Sequence, residues 1–260
     1  MINYLFTVYT FEYFLMILVR VASFVFVAPF FGMNNTPGRV KIGLSAFLAL
    51  ILYQAILPKE SLEYSGTIEF AIIVLREGIT GLLIGFAANI CNSIIVFSGK
   101  VIDMEIGLAM ANIYDPMTRT QSGLTGTMYN YFIMLLLIIT DMHHYILRAL
   151  IDTYQLIPVN GTVFDWEHLM STMSMYIADL MIIGFRIVLP VFATSMILNC
   201  ILGVMAKVAP QMNMFAVGMQ LKVLIGFSVL FVTIILLPDI SNFIFREMKR
   251  MIVSVVEGMY

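Results

Sequence analysis

The stretch Phe70–Ser98, FAIIVLREGITGLLIGFAANICNSIIVFS, decides the fold class of this chain. About 20 apolar residues are enough for a helix to cross a bilayer, and this run is longer, with only Arg76 and Glu77 charged. The whole chain has the same character: 61% of its 260 residues are hydrophobic and 12% are charged, against about 25% charged residues in a typical soluble domain. The sequence therefore predicts an integral membrane protein.

Apolar runs of this kind recur along the chain. They predict six main segments, at roughly 11–31, 42–58, 70–98, 124–140, 176–206 and 213–238. A charge at the bilayer centre costs roughly 2.5–3.5 kcal/mol, so the charges within these segments are expected to lie near a membrane interface or to face protein or water. They include Arg20, Arg76, Glu77 and Arg186. The basic cluster Arg246, Lys249 and Arg250 favours a cytoplasmic C-terminus.

Two further features bear on the organisation of the chain. The N-terminus has no Lys or Arg before Arg20, so we expect a retained helix rather than a cleaved secretory signal. Residues 152–175 predict an exposed polar connection, which divides the chain into a longer N-terminal part and a shorter C-terminal hairpin.

Several function classes find no support in the sequence. A net charge of −2 gives no sign of a nucleic-acid surface. The sequence has no nucleophile elbow, phosphate-binding loop or metal-ligand helix, and no histidine or cofactor motif accompanies Asp103 and Glu105. We therefore expect no catalysis by this chain.

Cysteine, methionine and histidine are interpreted as ordinary residues. Cys91 and Cys200 lie inside apolar runs, where burial is the usual state of free cysteine. Most of the 21 methionines are interpreted as ordinary hydrophobic residues of a helical protein. His143, His144 and His168 show no ligand spacing beyond one adjacent pair. Neither a metal nor a cofactor is expected.

Small residues at helical spacing predict a close helix contact in REGITGLLIGFAANICNS. Gly78, Gly81 and Gly85 share one face, which lets two backbones approach, and Asn89 or Asn92 could hydrogen-bond across the contact. The sequence leaves open whether the partner helix belongs to this chain or to another subunit.

The segment Lys100–Gly123, KVIDMEIGLAMANIYDPMTRTQSG, is too polar to face lipid, since it carries five charged residues. It also combines residues that allow sharp turns with methionines that make adaptable apolar contacts; these are Gly107, Asp115, Pro116, Gly123, Met104, Met110 and Met117. Such a composition suits a loop that folds into a lumen and closes it reversibly. A plain exterior loop fits equally well.

Several motifs, in order and over nearly the whole chain, resemble those of one known family. They are RVASFVFVAPFFG, TPGRVKIGLS, REGITGLLIGF, GKVIDMEIGLAMANIYDP, LLLIITDMHHYILRAL and, most specifically, AKVAPQMNMFAVGMQLKVLIGF. The family is that of the type III secretion export gates (FliR/SctT/SpaR). The sequence reads DMHHY where the family often has a glycine before the histidine, so the resemblance assigns no role to His143.

The resemblance implies a core subunit of the flagellar export gate, required for flagellum assembly. Such a subunit helps to form and close the channel through which unfolded flagellar subunits leave the cytoplasm. The implied partners are FliP-like and FliQ-like export-gate subunits, an FlhB-like subunit and the exported chains. The implied location is the bacterial inner membrane, within the ring of the flagellar basal body.

The resemblance also implies an all-α architecture of membrane-associated helical hairpins. The FliP-like part would occupy residues 1–151 and the FliQ-like hairpin residues 176–238, with the connection at 152–175 and a tail at 239–260. The loop would plug the pore through Met104, Gly107, Met110, Asp115, Pro116 and Met117. Subunit packing is expected at Gly78, Gly81, Gly85, Lys207, Pro210, Gln211, Asn213 and Lys222, and neighbouring subunits would also cover Arg76, Glu77 and Arg186.

A different class of function is the alternative. A small-molecule secondary transporter would also suit intramembrane charges and interrupted helices. The sequence has no evident inverted repeat and is rather short for that class, so the export gate is favoured.

Overall fold

A computed structural model describes residues 8–33, 36–55, 64–108, 123–211 and 213–260. Over these ranges the chain is helical, with no β-strand. The helices are α1 (Val8–Val27), α2 (Gly38–Ala55), α3 (Thr67–Ile106), α4 (Leu124–Ile139), α5 (Met142–Leu156), α6 (Trp166–Val208), α7 (Met214–Thr233) and α8 (Leu237–Glu257), with a 3-10 turn (Ile234–Leu236) before α8. Five helical stretches are long and apolar enough to cross a membrane, or six if α4 and α5 form one broken span. An all-α integral membrane protein is thereby confirmed.

The helices extend further than the apolar runs predict. Residues assigned to the polar connection are helical up to Leu156 and again from Trp166, and α8 occupies most of the predicted tail. The expected exposure of the connection is wrong at Thr153, Tyr154 and Thr162, which are buried. Hydroxyl groups lower the average hydropathy of a segment, but they can be buried once their hydrogen bonds are made, as for Thr153, whose hydroxyl donates to the Leu150 carbonyl.

The chain forms two compact units. The first contains Met1–Ile90, Asp141–Tyr176 and Arg246–Tyr260, and the second contains Cys91–Thr140 and Ile177–Phe245. Each unit draws on both sides of the predicted 152–175 connection. The FliP-like and FliQ-like assignments are a separate matter and stay predictions.

In the first unit, α1 packs against both α2 and α3. The rings of Tyr13 and Phe14 in α1 lie 6.5 and 6.0 Å from the ring of Tyr53 in α2. A Cβ atom on Gly81 of α3 would overlap the carbonyl oxygen of Arg20, and one on Gly85 would lie 2.9 Å from a carbonyl oxygen of α1. The predicted close helix contact is therefore made within the chain at these two glycines.

Hydrogen bonds also hold the segment before α3 and the segment after α8 in the first unit. Tyr64, just before α3, donates a hydrogen bond of 2.7 Å to Glu12 of α1, and this bond raises the pKa of the Tyr64 hydroxyl. Near the C-terminus, the carbonyls of Gly258 and Met259 accept backbone hydrogen bonds from Asp165 and Val163. The C-terminal end of α8 therefore belongs to a packed core rather than to a free tail.

In the second unit, α3 contacts α4 and α6. Asn92 donates a hydrogen bond of 3.1 Å to Asn130 of α4, rather than across the contact of Gly81 and Gly85 with α1 where we expected it. The Ser98 hydroxyl donates to the Gly184 carbonyl of α6 at 3.2 Å. Cys91 is buried, as expected, whereas the burial expected of Cys200 is wrong, because this residue lies on a face of α6 that the described part of the chain leaves exposed.

Candidate functional site

A buried ion pair joins α1 to α3 in the first unit. Arg20 Nε lies 2.6 Å from Glu77 Oε2, and Arg20 Nη2 lies 3.0 Å from Glu77 Oε1. Both side chains are 0% exposed. Two parallel hydrogen bonds between a guanidinium and a carboxylate give this pair a fixed geometry. Glu77 is thus covered by its own chain, and the expectation that another subunit covers it is wrong.

The connection between α5 and α6 completes the surroundings of this ion pair. Arg20 Nη1 donates to the Ile157 carbonyl at 3.0 Å, and the Asn160 backbone N–H donates to Glu77 Oε1 at 3.0 Å. The guanidinium carbon also lies 4.3 Å from the centre of the Tyr154 ring. The charges are therefore compensated by protein groups, as buried charges must be. They hold three segments together and are not available as a substrate site.

In the second unit, the two described ends of the segment Lys100–Gly123 lie close together. Gly107 has φ of 91°, and its N–H donates to the Asp103 carbonyl at 3.1 Å, so this glycine ends α3. At the start of α4, Gly126 lies against Gly99 of α3, where a Cβ atom would overlap the Gly126 backbone. Residues 109–122 lie outside the described residues, but the points where they leave α3 and join α4 are neighbours.

Asp103 fastens these two ends to each other. Its carboxylate oxygens each lie 3.2 Å from the Thr125 backbone nitrogen, which donates to them at the first turn of α4. Asp103 is buried, and the unpaired N–H groups of a helix N-terminus favour a negative charge. The polar segment is thus anchored at its base by a charge, which its composition did not predict. We call Asp103, Gly107 and Thr125 the loop anchor.

Removing the Asp103 carboxylate should loosen the loop anchor. We expect Asp103→Ala to cost about 1–2 kcal/mol locally, as the loss of a helix cap does. Hydrogen exchange at the Thr125 amide should then be roughly tenfold faster, which mass spectrometry of a peptide covering the first turn of α4 would measure. Lys100→Ala, on an exposed position of α3, is the matched control. Equal exchange in the two variants would contradict the anchoring role.

Next to the loop anchor, Glu105 faces the hairpin of α6 and α7. The Ser195 hydroxyl of α6 donates to Glu105 Oε2 at 3.0 Å. Glu105 and Ser195 line a small cavity together with Lys222 of α7. Its volume of about 10 Å³ is enough for one water molecule. This space is too small for a substrate, so the cluster links the loop base to the hairpin.

The hairpin tip presents polar groups outwards. α6 ends at Val208, and Pro210 follows two residues later, where a helix cannot continue. The Asn213 side chain accepts from the Ala216 N–H at 3.3 Å and so caps α7. Lys207, Pro210, Gln211 and Asn213 are all exposed.

The hairpin flanks are apolar and largely uncovered. Large side chains on α6 and α7 are exposed along much of both helices; they include Ile182, Phe185, Leu189, Ile197, Ile201, Val204, Leu224, Phe227 and Phe231. Arg186 is exposed among them. An apolar surface of this extent marks contact with lipid or with other proteins.

The structure describes some of the predicted site residues and not others. Of the predicted plug residues, Met104 is 61% exposed and Gly107 ends α3. Met110, Asp115, Pro116 and Met117 lie outside the described residues. Among the predicted packing residues, Gly81 and Gly85 are buried within the chain, Gly78 and Lys222 are half-buried, and the four residues of the hairpin tip are exposed. The pore-plug and subunit-contact roles stay predictions.

Together, the long apolar helices and the charges compensated inside the fold define a helical integral membrane protein. Residues 11–248 match the sequence profile of the bacterial export proteins, family 1. The chain belongs to this family.

Relatives within the family are similar over most of their length. The flagellar biosynthetic protein FliR of Bacillus subtilis is 30% identical over 224 residues, which cover 85% of this chain and 86% of the relative. FliR of Aquifex aeolicus is 26% identical, with 83% and 82% covered. FliR of Escherichia coli is 21% identical, with 92% and 90% covered.

Proposed function

We propose that this chain is a core subunit of the flagellar protein export gate, which helps to form and close the channel for unfolded flagellar subunits. The loop anchor carries the proposal. Asp103 and Gly107 fix the base of a segment that is too polar for lipid and that starts and ends at neighbouring points. Irregular backbone at membrane depth requires surrounding protein or a water-filled space. A loop fastened at its base can fold into such a space and be displaced without unfolding its supports.

In this proposal, other subunits cover the apolar and charged surfaces that are exposed on the isolated chain. The exposed apolar flanks of α6 and α7 and the exposed Arg186 suit contacts with FliP-like and FliQ-like subunits, with the tip residues available to an FlhB-like subunit. Small residues such as Gly203, which has open space around it in the described part of the chain, would let a neighbouring helix approach. The assembly would lie in the bacterial inner membrane, at the flagellar basal body.

The chain is proposed to act without chemistry of its own. Among the described residues, its buried charged side chains are engaged in structural contacts, such as Arg20 with Glu77 and Asp103 with Thr125. Energy for transport would come from other components. The same contacts argue against a small-molecule transporter, because the buried charges at midhelix are already compensated by the protein.

Closure by the loop can be tested with a deletion. Removing Gly107–Met117 should leave assembly intact, because the hairpin flanks and the Arg20–Glu77 pair are untouched, but should make the assembled gate leak small ions. Co-purification of the FliP-like and FliQ-like subunits measures assembly, and ion flux through proteoliposomes measures the leak.

Two further variants sharpen this experiment. Replacing Gly107–Met117 by a Gly-Ser sequence of equal length should leak as the deletion does, because Met110 and Met117 are lost. Arg119→Gln keeps the methionines and should remain closed. A deletion variant that assembles and stays tight to ions would refute closure by the loop.

A further inference from the structure

The turn between α4 and α5 brings together three side chains that can bind a metal ion. One ligand atom each from Asp141, His143 and His144 lies within 4.8 Å of the other two. The sequence alone offered only an adjacent histidine pair. The fold adds a carboxylate, and two imidazoles with one carboxylate form a ligand set that transition-metal ions use.

The Asp141 side chain is turned towards the histidines rather than towards the helix. Asp141 immediately precedes α5, where an aspartate normally accepts a hydrogen bond from an N–H of the first turn. Among the described residues its side chain makes no such capping bond, and its φ is 55°. Instead, Asp141 Oδ1 lies 3.3 Å from His144 Nδ1. The carboxylate therefore points into the space beside the imidazoles.

The cluster is both supported and accessible. Met142 and Ile146 are buried, which fixes the first turn of α5, and the Phe30 ring lies 5.9 Å from the His143 ring. The side chains of Asp141 and His144 are 77% and 71% exposed, so an ion and its waters can reach them. Two ligands of one zinc ion lie at most about 4 Å apart, since each bond is about 2 Å long. Rotation of the exposed Asp141 and His144 side chains can bring the ligand atoms, now within 4.8 Å of one another, to that separation.

We propose that Asp141, His143 and His144 bind one divalent transition-metal ion of the zinc class, with water completing the coordination. Imidazole nitrogen favours Zn²⁺, Ni²⁺ and Cu²⁺, whereas Mg²⁺ and Ca²⁺ prefer sites made of oxygen alone. The bound ion would hold the first turn of α5 in place. This site is independent of the loop and of the proposed export function.

The test uses the full chain, purified in detergent through a tag without histidine and stripped of metal by a chelator. Co²⁺ added to this protein should give the visible absorption of a tetrahedral complex, saturating at one ion per chain, and Zn²⁺ should displace it. Asp141→Asn, His143→Asn and His144→Asn should each weaken binding by about tenfold or more. Zn²⁺ should also raise the thermal unfolding midpoint of the unsubstituted protein, because a ligand that binds only the folded state stabilises it.

The controls carry the same substitutions at other positions. Asp152→Asn changes an exposed aspartate of α5, and His168→Asn changes a histidine outside the cluster; both should bind Co²⁺ as the unsubstituted chain does. Circular dichroism of each variant checks that the helices are retained. The proposal is overturned if the unsubstituted chain shows no saturable binding, or if His168→Asn weakens binding as much as His144→Asn does.

Discussion

Replacing Glu77 by alanine is expected to destabilise the protein by about 3–5 kcal/mol, because Arg20 would be left as a buried charge without its partner. Arg20→Ala should cost a similar amount, since Glu77 would keep, among the described residues, only its hydrogen bond from the Asn160 N–H. Unfolding in mixed detergent micelles can be followed by the fluorescence of Trp166, the only tryptophan of the chain, which lies in the same compact unit.

Two comparisons separate charge pairing from general damage to α3. Arg76→Ala changes the exposed neighbour of Glu77 and should alter stability by less than about 0.5 kcal/mol. The double variant Arg20→Met with Glu77→Leu removes both charges and should be more stable than either single alanine variant. A Glu77→Ala variant as stable as Arg76→Ala would show that the ion pair does not hold the unit together.

Adding a single methyl group at Gly81 is expected to cost about 1–3 kcal/mol or more. In Gly81→Ala the new Cβ atom would overlap the Arg20 carbonyl and the Ser23 hydroxyl, so α1 and α3 must move apart. That movement would also stretch the adjacent Arg20–Glu77 hydrogen bonds. The same fluorescence measurement gives the free energy of unfolding.

Gly78 provides a matched control one turn earlier in α3. A Cβ atom there would lie 3.5 Å from Val19 Cγ1, which is an ordinary contact. Gly78→Ala should therefore be neutral or stabilising by up to about 1 kcal/mol, because alanine favours the helix more than glycine does. If both alanine variants unfold at the same detergent concentration, close approach of α1 and α3 does not depend on Gly81.

The fold class could be predicted from the sequence because it depends on local composition. Apolar runs gave the main helices, and the spacing of Gly81 and Gly85 indicated a close contact, although not the helix on the other side of it. The ends of the helices were harder to predict. Residues with hydroxyl groups, such as the buried Thr153, lower the average hydropathy of a segment, so that it resembles an exposed connection. Packing, rather than composition, decides which of these residues are covered.

The candidate site was harder to predict because its contacts join residues far apart in sequence. Arg20 and Glu77 were each recognised as costly charges, but nothing local to either residue identifies the other as its partner. The sequence shows Asp103 only as a charge without a catalytic partner, and the folded chain has it hold the start of α4. Asp141, which has a positive φ just before α5, lies within reach of the histidine pair in the folded chain. In each case the decisive information is a tertiary contact or a backbone angle.

Membership of an export gate is the central claim, and the composition of the isolated complex tests it most directly. A tag at the exposed C-terminal Tyr260 would allow extraction in mild detergent, followed by mass spectrometry of the proteins that co-purify. We expect a stable complex that contains FliP-like and FliQ-like chains together with this one. A lone monomer or simple homodimer, with those partners expressed but absent from the eluate, would contradict the account.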